Sequence, residues 1–172
     1  HIILAHAMRD ILPAIPGLAT GWGQWAMQCP YCHGYEVADQ PTGILMTSPD
    51  VPHHLTMLRD WTDDLILFCN GHPVSDQIRA QAAGWGIAVH DAPVVAIKDD
   101  GTNRTLILAD GAQVQRLVLY LVSRAEPSRD LPHHLGCAME QGMTGPFVSV
   151  DAMQRTSVTG VFAAGDLCRP IY

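Results

Sequence analysis

The middle of the chain alternates short apolar runs with segments of helical spacing, and this alternation is the strongest limit on its fold. The runs Gly43–Thr47, Leu65–Cys69 and Ile87–His90 are typical of buried strands. Segments 53–61 and 76–85 lie between them and place apolar residues at helical spacing. Two such crossovers predict a parallel sheet with helices packed on it. We therefore expect an α/β fold with a Rossmann-like, three-layer domain of the nucleotide-binding type.

A second group of strands is predicted after these crossovers. Val94–Lys98 and Arg104–Leu108 flank the turn Asp99–Gly101, and a further turn follows at Ala109–Gly111. Short strands joined by such turns predict an antiparallel β-meander. The run Leu117–Val122 is almost wholly apolar, so we expect it to form a central parallel strand that is buried on both faces.

The two ends of the chain predict strands of a different unit. His1–Ala5 is expected to be a strand, and Ser157–Asp166 is expected to be a turn followed by a strand of small residues. That strand ends in a Gly-Asp step. Small residues allow a backbone to approach a ligand closely, and the carboxylate can accept hydrogen bonds from ribose-like hydroxyls.

Composition and charge exclude several classes of protein. The chain has 172 residues and a net charge of -7 at pH 7, so nucleic acid is not an expected partner, because phosphate binding needs a basic surface. No apolar run approaches the roughly 18 residues of a membrane span. The start, His1–His6, lacks the apolar run of a targeting segment. Five cysteines with one close pair suit a reducing compartment, so we expect a cytoplasmic protein without membrane contact.

The segment Cys29–Glu36 carries the chemistry that is most readily identified. It reads Cys-Pro-Tyr-Cys-His-Gly-Tyr-Glu. Two cysteines with this spacing at the start of a helix can close a small disulfide ring, and the helix N-terminus plus a nearby cation lowers the pKa of one thiol. His33 adjoins the second cysteine and can protonate a leaving thiolate. The segment predicts thiol–disulfide exchange by Cys29 and Cys32.

Three other interpretations of the cysteine pair remain open. A c-type haem attachment site has the same Cys-x-x-Cys-His motif but needs an exported chain. A structural zinc site would need a second ligand pair, and Cys69, Cys137 and Cys168 are far apart in the sequence. Neighbouring histidines on a helix point apart, so the doublets His53-His54 and His133-His134 do not predict a metal site. The pair could also be reduced and purely structural.

Four segments, in their order and spacing, resemble the thioredoxin-reductase-like flavoprotein pyridine nucleotide-disulfide oxidoreductases. They are the connector Leu12–Leu18, the redox segment, the βαβ region and the closing segment Thr156–Asp166. The resemblance implies that Gly165 and Asp166 contact FAD. It also implies a division into a partial FAD-domain piece at 1–28, an inserted NAD(P)-type domain with the cysteine pair at 29–125, and a return to the partial FAD domain at 126–172.

The chain also departs from this family's pattern. The N-terminal Gly-x-Gly-x-x-Gly fingerprint is absent, and Leu4–Ala7 has His and Ala where the family has Thr and Gly. The segment Thr47–His54 has two prolines, an aspartate and no glycine where the family has a glycine-rich loop, and Cys69–Pro73 has no arginine for a 2'-phosphate. A pyrophosphate needs free backbone N–H groups. We therefore expect weak NADPH binding, and no retention of FAD by these 172 residues alone.

His33 stands where the thioredoxin reductases have Asp, which is similar to the dithiol oxidases that close disulfides in gliotoxin- and holomycin-type natural products. In that branch electrons pass from a substrate dithiol through the cysteine pair to FAD and then to oxygen. The resemblance implies that Cys32 is the flavin-proximal sulfur and Cys29 the exchanging one, with His33 moving the proton and Glu36 orienting it. It implies a small-molecule dithiol or a thioredoxin-like protein as partner and allows a homodimer. An NADPH-dependent reductase and a flavin-free interaction domain remain as alternatives.

Overall fold

The computed structural model describes residues 1–48 and 52–169, and it describes no side chains for residues 52–54. Part of the segment Thr47–His54, for which the sequence predicts a poor nucleotide loop, therefore lies outside the described residues. The strands are β1 (Ile2–Leu4), β2 (Met8–Ile11), β3 (Ala26–Met27), β4 (Thr42–Leu45), β5 (Leu65–Phe68), β6 (Ala88–His90), β7 (Val94–Asp99), β8 (Arg104–Leu108), β9 (Gln113–Arg116), β10 (Val118–Leu121), β11 (Arg124–Pro127), β12 (Met139–Gln141), β13 (Pro146–Val148) and β14 (Val161–Ala163). The α-helices are α1 (Leu18–Gly21), α2 (Pro30–His33), α3 (Pro52–Leu58), α4 (Asp76–Gly84) and α5 (Leu131–His134). Short 3-10 helices lie at Tyr35–Val37 and Gly165–Leu167.

The chain divides into two compact units. One unit comprises His1–Leu12 and Ser123–Tyr172, and the other comprises Pro13–Val122. These bounds differ from the sequence-based division at 1–28, 29–125 and 126–172. Residues 13–28 join the central unit because β3 pairs with β10, and the residues after 122 leave it because β11 pairs with β2.

The central unit is built on a parallel sheet with the strand order β3-β10-β4-β5-β6. Every residue of β4, β5 and β10 is buried, so these strands are covered on both faces, as is usual in a parallel sheet. The expected α/β fold of the nucleotide-binding type is confirmed. The apolar run before Ser123 forms the predicted central strand, between β3 and β4.

One face of this sheet packs against the helices and forms the core of the central unit. Helix α4 begins after Ser75, whose hydroxyl accepts a hydrogen bond from the backbone N–H of Ile78 at 3.3 Å and so caps the helix. The buried core on this face contains Met27, Ile44, Met46, Leu55, Leu58, Leu65, Leu67, Cys69, Ile78, Ala82, Ile87, Val118 and Tyr120.

The predicted β-meander is also present. Strands β7, β8 and β9 form an antiparallel sheet. The β7–β8 hairpin is closed by Asp100, whose carboxylate accepts hydrogen bonds from the backbone N–H groups of Thr102 and Asn103 at 2.9 and 2.7 Å. Such side-chain bonds to the chain ahead are the reason that Asp favours turns.

The other unit contains three small sheets. Strand β1 pairs in parallel with β14, β2 pairs antiparallel with β11, and β12 pairs antiparallel with β13. The predicted strands at the two ends of the chain are therefore neighbours in one sheet. The buried residues of this unit include Leu4, Cys137, Val148, Val161, Ala163, Leu167 and Cys168. Within the described residues of both units, the helices are all too short or too polar to cross a membrane.

Candidate active site

The cysteine pair lies at the start of α2, just beyond the end of β3. Cys29 has an extended backbone and is the N-cap residue, and Pro30 occupies the first turn, where its fixed φ suits a helix and its missing N–H costs nothing. The backbone N–H groups of Cys32 and His33 both donate to the carbonyl of Cys29 at 3.3 Å. The sequence thus forms one tight turn that places residues 29 and 32 side by side.

The two sulfur atoms are close enough to react with each other. The distance from Cys32 Sγ to Cys29 Sγ is 2.8 Å, and both cysteines are free. A disulfide bond of about 2.05 Å needs only a small approach. Cys29 is half-buried and Cys32 is exposed, so Cys32 is the more accessible residue of the pair.

The electrostatics of Cys32 are set mainly by its neighbour in the pair. The pKa of Cys32 is raised from its ordinary value, first by the hydrogen bond with Cys29, then by burial and by the charge of Cys29. The lowered pKa expected for one thiol of the pair is therefore not found at Cys32. In this reduced form the thiol of Cys32 is a proton donor to Cys29.

Gly34 and Trp61 hold the redox turn against the rest of the central unit. The backbone N–H of Gly34 donates to the carbonyl of Pro30 at 2.7 Å. A Cβ atom added at Gly34 would lie 2.4 Å from that carbonyl oxygen and 2.6 Å from Trp61 Cε2. A larger residue at position 34 would therefore displace the turn that carries the cysteines.

The structure brings His33 and Glu36 near the pair but does not join them. His33 is the last residue of α2, Glu36 lies in the 3-10 helix that follows, and both are exposed. Neither side chain forms a hydrogen bond or an ion pair with another residue in the described part of the chain. Their roles in moving and orienting a proton stay predictions. Tyr31 and Tyr35 flank them and are 80 and 85 % exposed.

Gly165 and Asp166, the predicted flavin contacts, lie beyond the end of β14. Gly165 has a φ of +71°, and a Cβ atom there would meet nothing within 4 Å. The carboxylate of Asp166 is exposed and bonds to no other described residue. An open glycine followed by an unengaged carboxylate leaves space and an acceptor for a sugar hydroxyl, and the flavin contact of these residues stays a prediction.

Ala7 replaces the family's glycine and still adopts a glycine-like conformation. Its φ is +62°, in the left-handed region that glycine enters without strain. The preceding residue, His6, has its Nδ1 atom 3.3 Å from the Ser128 hydroxyl, and that hydroxyl also donates to the His6 carbonyl. Ala7 therefore holds a backbone conformation that is strained for a residue with a Cβ atom.

The expected nucleotide edge, beyond β5 and β6, is occupied by the protein's own contacts. Asn70 has a φ of +52°, its Nδ2 donates to the Met46 carbonyl at 3.2 Å, and its Oδ1 accepts from the N–H of Val94 at 2.9 Å. Beside it, Arg79 forms a two-point ion pair with Asp91, with nitrogen–oxygen distances of 2.6 and 3.2 Å. These contacts use groups that could otherwise hold a nucleotide.

Two residues of this unit were missed from the sequence. Arg79 lies outside the segment Cys69–Pro73, in which an arginine is expected, and its signal is its place about one helical turn after the Ser75 cap. Tyr120 was hidden in the apolar run of β10, where its hydroxyl is the one polar side-chain group. The signal was a phenol in a strand predicted to be buried on both faces.

Cys69 is set apart from the redox pair. It is fully buried at the end of β5. Burial raises its pKa to about 12, and a hydrogen bond with Asp91 adds to this effect. Within the described residues no group of three or more His, Cys, Asp or Glu side chains could hold a metal ion.

Comparison with known proteins identifies the family. Residues 61–172 match the family model described as pyridine nucleotide-disulphide oxidoreductase. The chain belongs to this family. It is 36 % identical to an oxidoreductase from Agrobacterium tumefaciens, with a TM-score of 0.87, covering 98 % of this chain and 56 % of that one. It is 37 % identical to the protein HlmI, with a TM-score of 0.84, covering 99 % of this chain and 53 % of that one.

A relative of this chain is named as a thioredoxin reductase. The chain is 29 % identical to a probable thioredoxin reductase from Arthroderma benhamiae, covering 96 % of this chain and 47 % of the relative. The chain thus spans about half the length of the curated relatives that it matches. The resemblance to thioredoxin-reductase-like oxidoreductases predicted from the sequence is confirmed.

Proposed function

We propose that this chain acts as part of a flavin-dependent thiol–disulfide oxidoreductase in which Cys29 and Cys32 exchange electrons with a substrate dithiol. The observation that supports this most directly is the pair of free sulfurs, 2.8 Å apart, at the start of α2. The exposed position of Cys32 and the half-exposed position of Cys29 give an external thiol access to them. A purely structural pair would gain nothing from such exposure.

The exchange proceeds in two balanced steps from the oxidised pair. A substrate thiolate attacks Cys29 Sγ, forming a mixed disulfide and releasing Cys32 as the thiolate. The second substrate thiolate then attacks the substrate sulfur of that mixed disulfide, so the substrate leaves as a disulfide and Cys29 is released. The substrate has lost two electrons and the pair has gained them. His33 carries the proton between the incoming thiol and the leaving thiolate, and Glu36 orients His33.

FAD is the proposed cofactor. When bound, it would take the two electrons from the reduced pair and pass them to oxygen. Gly165 and Asp166 would hold it, because the open backbone at residue 165 and the unengaged carboxylate at residue 166 suit a dinucleotide's sugar. The substrate class is a small-molecule dithiol, with a thioredoxin-like protein as the second candidate, and a homodimer in the cytoplasm is the proposed setting.

Anaerobic titration tests the proposed route of electrons. Protein that carries this chain together with a complete flavin-binding half is loaded with FAD and mixed with a dithiol such as dithiothreitol, and the absorbance of the flavin and the number of free thiols are followed. We expect the flavin to bleach, and we expect the variants Cys29→Ser and Cys32→Ser to lose this response. Cys137→Ala, which changes a buried cysteine of the other unit, is the matched control. Bleaching that persists in both serine variants would refute the proposed route.

The runner-up is an NADPH-dependent reductase of the thioredoxin-reductase type. The name of the relative from Arthroderma benhamiae favours it. Against it stand the pairing of Arg79 with Asp91 and the use of the Asn70 amide within the fold, because both reduce the groups free to bind a 2'-phosphate and a ribose. Bleaching of the flavin by NADPH at micromolar concentration, without any dithiol, would favour the reductase over the oxidase.

The third candidate is a flavin-free interaction domain. A visible absorption spectrum distinguishes it when the chain is joined to a complete flavin-binding half, since such a protein that stays colourless after incubation with excess FAD has no bound flavin.

A further inference from the structure

Tyr120 is a buried phenol without a partner, in the core beneath the redox turn. Its side chain is 1 % exposed, and within the described residues its hydroxyl has no hydrogen-bond partner. A buried hydroxyl without a partner destabilises a fold, and a phenylalanine would fill this site in β10 without that cost. The hydroxyl therefore requires an explanation.

Strand register places Tyr120 next to the start of the redox turn. Tyr120 is paired with Met27 of β3, two residues before Cys29, and with Ile44 of β4 on its other side. Met27, Ile44 and Tyr120 share the core that packs against the helices, and Trp61 packs against the same core. Trp61 is also the side chain that contacts the redox turn at Gly34. The phenol and the turn thus lie on the same face of the sheet.

The charged groups that shift the pKa of the Tyr120 phenol belong to the redox turn and the residues that follow it. Burial raises the pKa of the Tyr120 phenol to about 12, and the charges of Cys29, Glu36 and Cys32, in that order, add to the effect. The neighbouring strands and helices contribute apolar side chains to this core, apart from Cys69, whose thiol bonds with Asp91 instead. At neutral pH the phenol is therefore a neutral donor, and Cys29 is the charged group with the largest effect on its pKa.

We propose that the Tyr120 hydroxyl is held in the core as a hydrogen-bond donor for the Cys29 thiolate, which forms when the pair is reduced. This inference rests on the proposed thiol–disulfide exchange and adds to it. In the reduced form described here, Cys29 accepts from the thiol of Cys32. Once Cys32 loses its proton, the buried side of Cys29 has the phenol as its donor. Hydrogen bonds to the charged form lower a thiol's pKa.

The test measures the pKa of Cys29 directly. In a Cys32→Ser background, alkylation of Cys29 by iodoacetamide is followed by mass spectrometry between pH 5 and 10, with and without Tyr120→Phe. We expect the pKa to rise by about one unit, so that alkylation at pH 6 slows about tenfold. Tyr31→Phe and Tyr35→Phe, the exposed tyrosines beside the pair, are the matched controls and should leave the pKa unchanged.

A second measurement covers the native pair. A donor that stabilises the reduced form raises the reduction potential of the pair. At a pH above the pKa of Cys29, Tyr120→Phe should therefore lower this potential by about 30 mV, which corresponds to the same tenfold change. An unchanged or lower pKa of Cys29 in a folded Tyr120→Phe protein would overturn the inference, as would equal shifts in the two controls. Both readouts use the thiols alone, so loss of dithiol oxidase turnover would overturn the proposed function without affecting this result.

Discussion

Gly34 is the position at which the packing of the redox turn can be tested most sharply. Its backbone is helical, with a φ of -63° and a ψ of -35°, so alanine would suit the backbone itself. The obstacle is space, because the added Cβ would lie 2.4 Å from the Pro30 carbonyl oxygen, 2.6 Å from Trp61 Cε2 and 2.7 Å from Trp61 Cδ2. The substitution Gly34→Ala therefore has two opposite effects on stability: alanine has the better helix propensity, but its Cβ overpacks the site.

The magnitude follows from these two effects. Alanine in place of glycine at a helical position stabilises by roughly 0.5–1 kcal/mol. Inserting a methyl group into a close-packed site costs typically about 1–3 kcal/mol, and the contacts here involve a backbone carbonyl and a large ring, so the upper half of that range applies. We expect a net loss of about 1–2.5 kcal/mol in the free energy of unfolding.

Urea unfolding followed by tryptophan fluorescence measures this loss in the central unit, which contains Gly34. The four tryptophans, Trp22, Trp25, Trp61 and Trp85, all lie between residues 13 and 122. With an m-value of about 2 kcal/mol/M, the midpoint should fall by roughly 0.5–1.2 M. The control is Gly84→Ala at the end of α4, where a Cβ meets nothing within 4 Å, and there the midpoint should rise.

A double-mutant cycle assigns the cost to its cause. In a Trp61→Leu background the ring is gone, so Gly34→Ala should cost measurably less than in the native background. A midpoint for Gly34→Ala that matches or exceeds the native value would refute the reasoning. A cost that is unchanged without the Trp61 ring would leave the Pro30 carbonyl as the whole obstacle and would contradict the role given to Trp61.

Three further outcomes are expected. Ala7→Gly should stabilise the fold by about 1 kcal/mol in thermal or urea unfolding, because its φ is +62° and an L-residue pays roughly that much there; Ala5→Gly, where no positive φ occurs, should not. Cys69 should resist alkylation and oxidation at pH 8 while Cys29 and Cys32 react. The pKa of Cys69 is about 12 in the folded protein and 9.0 in the unfolded chain. Its contribution to the free energy of unfolding should therefore be complete below pH 9 and be lost between pH 9 and 12. NADPH should bind with a dissociation constant above roughly 1 mM, equivalent to less than about 4 kcal/mol, and calorimetry that found micromolar affinity would contradict this.

Local patterns in the sequence predicted those parts of the fold that depend on local physics. The strands β4, β5 and β6 and the helix α4 lie within a few residues of their predicted bounds, because apolar periodicity and a serine cap determine them. The limits of the two units were less accessible. They depend on pairing between strands distant in sequence, such as β3 with β10 and β2 with β11, and no local pattern records which strands will meet.

In the candidate site, too, the sequence predicted the features that depend on neighbouring residues and missed those that depend on residues distant in the chain. The cysteine spacing determines the sulfur–sulfur approach, since one helical turn brings residues 29 and 32 together whatever surrounds them. The environment of the sulfurs depends on chain segments that are remote in sequence. Trp61 supports the turn from 27 residues beyond Gly34, and Tyr120 reaches the same core from a strand that enters the sheet between β3 and β4. The reactivity of the pair is therefore set largely by residues outside the motif, and for this reason Tyr120→Phe tests more of the site than another substitution within Cys29–Glu36 would.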